Sequence, residues 1–539
     1  MGWNKFLFLL VFGVCALGVQ AQENQYVVFF ADKTGTPYSI NSPETFLTQR
    51  ALDRRARQNI SISESDLPVN PVYVQGLRDA GAEVIYTTKW MNGALVSCDD
   101  TILSALEDLP YVSSVEFVSP GNHPASGNRR KFKNEVTEAA AEATDTQLSM
   151  LGLDAMHLDG KQGDGIVIAV FDGGFLGVDM TTPFQHLFTN NQIDLSNSFD
   201  FISGTSNVFQ YDDHGTRVLS IMSANVDGSF TGGVTEASYQ LYVTEDVPTE
   251  YRIEEYNWLF AAERADSTGA DIIHSSLGYS TFDIASMDYT TDQLDGETTV
   301  VTRAAQLAFS KGMMVVTSAG NEGNDASWRI ITGPADGKDV LAIGNINSFS
   351  VRSPSSSMGP SADGRIKPDL VALGSGVSVV RASGSVFTGS GTSFSAPLVT
   401  SLVAGIWQAY PELKNTNLLE ALRKTASQAS NPDNLLGYGI PNYLAVVHYL
   451  EQSNQTEPVI IFPNPVTDVL TVRPASPEGG NIKLALVSSQ GQLVTEREVS
   501  FSWLNNQYTA DLSGLASGIY ILRLTTVDQI LTFRIVKMN

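Results

Sequence analysis

The sequence predicts a three-part architecture: a doubly wound, mainly parallel α/β sheet in the middle, a small α+β module before it and a β-sandwich after it. Three observations carry this. Between residues 147 and 450, continuous apolar runs of strand length alternate with helical periodicity; residues 23–120 mix short strand and helix signals; after residue 458, period-two alternation takes over. A chain of 539 residues is too long for one ordinary domain. Its formal net charge of -25 argues against a nucleic-acid partner and suits a soluble, exported surface.

Lys5, the apolar run Phe6 to Val19 and the small-residue pattern Val19-Gln20-Ala21 predict a signal peptide over residues 1–21, cut after Ala21. The run is short for a membrane span, and Cys15 lacks the small residues that a lipoprotein cysteine needs before it. Cys98 then has no partner, so disulfides contribute nothing. In residues 22–146, strands are expected at Tyr26–Phe30, Glu83–Thr88, Gly93–Ser97 and Val112–Val118. Helices are expected at Pro43–Arg57 (a basic one), Val72–Ala80 and Thr101–Leu109, an order of the ferredoxin-like kind. Gly121–Thr146 has little apolar periodicity and contains Arg129-Arg130-Lys131, as in an exposed linker open to proteolysis. A compact module before a cuttable linker suggests a propeptide; an ordinary accessory domain is the alternative.

The central domain, residues 147–450, opens with Gly165–Phe171, a strand apolar on both faces, ending in Asp172-Gly173-Gly174. Open α/β sheets place their chemistry at such strand ends, although Asp-Gly is also a common turn. Asp212-Asp213-His214-Gly215-Thr216 puts a histidine at a helix start, one of six in the chain. Ala270–Gly278 and Met313–Ala319 are further buried strands, the second leading into Gly320-Asn321-Glu322-Gly323, with a helix expected at Thr298–Ser310 between them. Gly389-Ser390-Gly391-Thr392-Ser393 is a glycine-rich turn, and Leu398, Val399, Leu402, Val403, Ile406 and Trp407 follow at helical spacing. Ser393 therefore sits near a helix N-terminus, where free N–H groups favour a developing negative charge. The same stretch suits a capped core helix with no chemistry.

Together these segments resemble the subtilisin-like serine peptidases, over roughly residues 147–450. The strand ending in Asp172, His214-Gly215-Thr216, Ser276-Leu277-Gly278, Ala319–Gly323 and Gly391–Pro397 carry the likeness, in the family's Asp, His, Asn, Ser order. An α/β-hydrolase would instead place its serine first, in Gly-x-Ser-x-Gly. The resemblance implies a catalytic triad of Asp172, His214 and Ser393, with Asn321 as oxyanion donor and Ser276, Leu277 and Gly278 pairing with the substrate backbone. Gly173, Arg217, His274 and Leu373 depart from the family's usual residues. No cofactor is required. Calcium often stabilises this family, yet no run has the ligand spacing of a recognisable loop, so only a structural calcium stays open.

In residues 458–539, Val469–Val472 and Ile519–Leu524 alternate, with turns at Gln490-Gly491 and Ser517-Gly518. Phe462-Pro463-Asn464-Pro465, Leu512-Ser513-Gly514-Leu515, Gly518-Ile519-Tyr520 and Lys537 resemble the C-terminal sorting domains of type IX secretion substrates. That implies release from, or display on, the outer membrane of a Gram-negative bacterium, with the secretion machinery as partner. The expected function is a secreted serine endopeptidase, acting through an acyl-enzyme on protein or peptide substrates. It is made as a self-processed zymogen, with its own propeptide as intramolecular inhibitor. A catalytically inactive surface-binding protein on the same scaffold is the alternative.

Overall fold

The computed structural model describes residues 23–121, 135–137, 144–454, 459–474, 480–501, 507–525 and 530–539. The expected signal peptide, Arg129-Arg130-Lys131 and residues 138–143 of the expected linker lie outside them. The described chain divides into two compact units, Met1–Leu444 and Ala445–Asn539.

The first unit begins with β1 (Asn24–Phe30), α1 (Gln49–Gln58), α2 (Pro71–Asp79), β2 (Glu83–Thr88), β3 (Gly93–Cys98), α3 (Asp100–Glu107) and β4 (Val112–Ser119). The strands form an antiparallel sheet in the order β2-β3-β1-β4, the ferredoxin-like arrangement with α1 added. Successive residues of a strand face opposite sides. Tyr26, Val28 and Phe30 accordingly join the module's own core with Val74, Leu77 and Leu106. Val27, Leu95 and Val118 turn the other way, into a core shared with Trp258, Leu259 and Ala304.

The linker is not wholly irregular. β5 (Glu135–Thr137) forms a three-stranded antiparallel sheet with β15 (Ser375–Val380) and β16 (Val386–Ser390), and α4 (Asp145–Ser149) starts before residue 147. Three residues carry no periodicity, which is why sequence patterning missed β5.

The centre contains α5 (Leu153–Leu158), β6 (Val167–Asp172), α6 (Gln185–Thr189), β7 (Phe199–Asp200), α7 (His214–Ser223), a small hairpin of β8 (Asn225–Val226) and β9 (Phe230–Thr231), β10 (Ser238–Val243) and α8 (Ile253–Thr268). Next come β11 (Ile272–Ser275), α9 (Val300–Ser310), β12 (Met314–Ser318), β13 (Leu341–Ile346), β14 (Leu370–Leu373), α10 (Thr392–Ala409) and α11 (Asn415–Thr425). Seven strands form a parallel sheet in the order β14-β13-β12-β11-β6-β10-β7. Both faces are covered, so β11, β12, β13 and β14 are buried at every residue. Apolar on nearly every side, α10 is buried from Thr392 to Trp407. Gly389 and Ser390, expected in a turn, close β16 instead.

α12 (Tyr443–Asn454) leads into the second unit, a sandwich of two antiparallel sheets. One holds β17 (Val459–Phe462), β18 (Val469–Pro474) and β21 (Tyr508–Asp511). The other has the order β20 (Leu493–Phe501), β19 (Gly480–Ser488), β22 (Gly518–Thr525), β23 (Ile530–Lys537). Leu470 and Val472 of one sheet and Leu484, Leu522, Leu524 and Ile535 of the other share one core. Among the described residues, no helix is long and apolar enough to cross a membrane.

Candidate active site

β6, β11 and β12 deliver Asp172, Ser276 and Asn321 to one edge of the parallel sheet, beyond the strands' carboxyl ends. Asp172 is fully buried, and its Oδ1 accepts from the Gly173 N–H at 2.8 Å. His214 is the first residue of α7; Asp212 Oδ1 accepts its backbone N–H at 2.7 Å, which satisfies a free donor of the helix start. His214 Nδ1 lies 2.9 Å from each Asp172 carboxylate oxygen. Such a contact leaves Nε2 as the working nitrogen of a neutral ring. The close approach of α7 to β6 explains Gly215: a Cβ there would come within 2.4 Å of the Gly174 carbonyl oxygen and 2.9 Å of Asp172 Cβ.

Ser393, 4% exposed, is the second residue of α10. The next residue, Phe394, stands with its ring centroid 6.2 Å from that of His214. Asn321 Oδ1 accepts from the Thr392 N–H at 3.0 Å and from Thr392 Oγ1 at 3.1 Å. A backbone N–H can only donate, so the carboxamide oxygen must face Thr392, and its NH2 end points elsewhere. Ser276, Leu277, Gly278, Asn321, Glu322 and Ser393 line a cavity of about 90 Å³, with Glu245 in its wall. Every residue the sequence assigned to the site thus falls at one sheet edge: Asp172 with His214, and Ser393 with Asn321 and the Ser276–Gly278 segment.

Sequence reasoning noted His274 only as a departure from a family pattern. It is fully buried in β11, with Nδ1 2.8 Å from Thr400 Oγ1 of α10 and Nε2 3.1 Å from Ser276 Oγ; Ser276 Oγ in turn donates to the Ser393 carbonyl at 3.1 Å. Burial, with the nearby His214 as a smaller cause, pushes its pKa down to about 3, so the ring is neutral. His274 therefore ties the substrate-side strand to the serine's helix. Gly173 supports Asp172 through its backbone N–H, and Arg217 turns back to its own helix start, with Nη2 2.9 Å from Asp213 Oδ1.

The α1 arginines are the other feature the sequence did not resolve. Arg54 and Arg55, each 1% exposed, pair with the buried Asp266 of α8, which Lys89 Nζ also reaches at 3.2 Å. Arg50 and Arg57 pair with Asp271. Glu263 accepts the Lys89 and Trp90 N–H groups at 2.9 and 3.0 Å. Among the described residues, Glu245, Glu250 and Glu254 bring carboxylate oxygens within 4.8 Å of one another, an all-oxygen set of the kind hard cations use.

A parallel sheet with its polar groups gathered at the carboxyl edge around a serine at a helix start is the plan of a subtilisin-like hydrolase. Residues 163–439, just over half the chain, match the subtilase family, and the chain belongs to it. It is a serine peptidase with a propeptide: residues 25–135 match the peptidase S8 propeptide domain of Bacteroidota. Residues 460–538 match the secretion system C-terminal sorting domain, which marks the chain for export.

Subtilisin E of Bacillus subtilis (strain 168) is 24% identical over 357 residues, 66% of this chain and 81% of the relative. Subtilisin of Bacillus pumilus is 26% identical over 291 residues, 53% and 93% respectively. The crystal structure of the epidermin leader peptide processing serine protease of Staphylococcus aureus shares the fold, with a TM-score of 0.54 at 16% identity, over 81% of this chain and all of that one.

Proposed function

We propose that the protein is a secreted endopeptidase that hydrolyses peptide bonds through Asp172, His214 and Ser393, and matures by cutting its own linker. The observation that carries this is the buried Asp172–His214 pair beside a serine at the head of α10. A serine hydroxyl needs a base to attack an amide at neutral pH. His214 Nε2 takes the Ser393 proton as Oγ attacks, then returns it to the leaving amine; Asp172 holds the ring's tautomer and stabilises the imidazolium without taking the proton. The ester left on Ser393 is hydrolysed by water in the reverse sequence. Asn321 Nδ2 and the Ser393 N–H bind the oxyanion, and Thr392 presets the Asn321 carboxamide for that task.

Ser276, Leu277 and Gly278 pair with the substrate backbone, so affinity demands little of side-chain identity. Protein groups alone supply this chemistry; a calcium ion would have only a structural part, with Glu245, Glu250 and Glu254 as its ligands. The propeptide of residues 22–146 holds the precursor inactive, and the sandwich of residues 458–539 hands the chain to an outer-membrane secretion machinery after a signal peptide ending at Ala21 is removed.

A fluorophosphonate probe should label the processed wild type and leave Ser393→Ala untouched, while casein hydrolysis follows the label. Equal labelling of both, or casein hydrolysis by Ser393→Ala, would remove Ser393 as the nucleophile.

A further inference from the structure

We infer that the folded propeptide module, residues 23–119, is not shed when the linker is cut: it stays bound to the peptidase as a permanent non-covalent subunit and leaves the cleft open. This rests on the proposed cut in the linker. The peptidase face under the module is built as an interior. Val27, Leu95 and Val118 of the module, each at most 1% exposed, belong to one core with Trp258, Leu259 and Phe260 of α8 and Ala304 of α9. The ring centroid of Tyr86 lies 5.3 Å from those of Phe201 and Phe260. Without the module these side chains would face water as a contiguous apolar patch, which soluble monomers rarely expose.

The polar groups of that face are matched from the module as well. The Glu263 carboxylate accepts from the Thr88 hydroxyl and from the Lys89 and Trp90 N–H groups. Asp266 pairs with Arg54, Arg55 and Lys89. Among the described residues, the partners of both buried carboxylates thus all belong to the module. In return, Lys311 of the peptidase reaches Asp66 of the module at 3.0 Å. Gln58 accepts the Asn415 N–H at 2.9 Å and so satisfies a free donor at the start of α11.

The position of α1 keeps this docking apart from the chemistry. Arg50 donates to the Gly165 and Gly269 carbonyls, and Arg54 to those of Ala270 and Lys311. Those residues precede β6, β11 and β12, so α1 is seated at the amino edge of the sheet, whereas Asp172 and Ser276 lie at its carboxyl edge. No residue of the module lines the cavity beside Ser393. Cutting the linker removes only the effective concentration that the tether supplies. The buried charges hold against that loss, because salt screens such pairs little and separating them leaves each side unmatched.

The test sets native size-exclusion chromatography beside denaturing intact mass after the cut. It uses the processed wild type, and full-length Ser393→Ala cut at a site-specific protease sequence inserted after Gly121. Both should yield two chains that co-elute one to one, at micromolar concentration and in molar salt, and a fluorophosphonate should label the wild-type complex with the module still bound. Arg54→Gln together with Arg55→Gln should speed release of the cut module by at least about a hundredfold; should that variant not fold, co-elution of the parent decides alone.

If the module elutes apart from a folded peptidase, or is degraded while the peptidase stays active, the inference falls. It falls too if the complex takes label only once the module has been stripped away, or if the double variant releases it no faster than the parent. A wild type that stays uncut removes the self-cutting reading, and one that takes no label with or without the module removes the nucleophile; in either case co-elution of the cut Ser393→Ala chain still decides the inference.

Discussion

Asp266→Asn tests how the propeptide is held. Asp266 is fully buried on α8, and it pairs with Arg54, Arg55 and Lys89. Burial alone would raise its carboxyl pKa, but Lys89, Arg54 and Arg55 outweigh that and hold it below the usual range. Asparagine keeps the shape and removes the charge. Arg54 is then left with carbonyl acceptors such as Lys311 O, while Arg55 keeps Asp66 at 3.0 Å.

Breaking one side of a buried ion pair costs about 3–5 kcal/mol, because the surviving charge stays desolvated and unmatched. At about 1.4 kcal/mol per tenfold, undocking of α1 becomes two to nearly four orders of magnitude more populated. The assay is limited trypsin digestion of the full chain in a Ser393→Ala background. Arg54, Arg55 and Arg57 are potential cleavage points that docking protects. When opening and reclosing outpace cleavage, the cutting rate follows the open population. A rate within tenfold of the parent, with α1 still docked, would refute the claim that this pair clamps the propeptide.

Two further outcomes follow from the site. Asn321→Ala should lower kcat by about 10²–10³ with KM little changed, a magnitude taken over from a subtilisin oxyanion donor; a loss under tenfold would mean that Asn321 does not serve the oxyanion. His274 has a folded pKa pushed below its ordinary 6.5, to about 3, so the unfolded chain binds the extra proton first. Its neutral burial is cost-free above pH 6.5, and stability falls by a few kcal/mol as pH drops from there toward 3. In His274→Asn, urea midpoints over that range should fall less steeply than in the parent, and parallel curves would refute the assignment.

Much of the architecture and the candidate site was legible locally. Asp172 closes an apolar run, His214 opens a helix and Ser393 heads another; strand ends and helix starts are written by nearest neighbours and periodicity. The small residues around them, such as Gly215 against the Gly174 carbonyl, record close approaches whose partners the sequence does not name.

What tertiary structure decided involves partners that no local pattern links. The α1 arginines read only as part of a basic helix until the fold brought Asp266, more than 200 residues away, beneath them. His274 read as an odd residue until β11 and α10 met across it. Three residues of β5 carry no period of their own, and their strand exists only because β16 offers a free edge. The sequence by itself determined most of the strands and helices and which polar residues stand at their ends, Asp172, His214 and Ser393 among them. Tertiary structure alone decided which buried charges face one another and which stretch of linker pairs with β16, because desolvation and pairing depend on surfaces that only folding brings together.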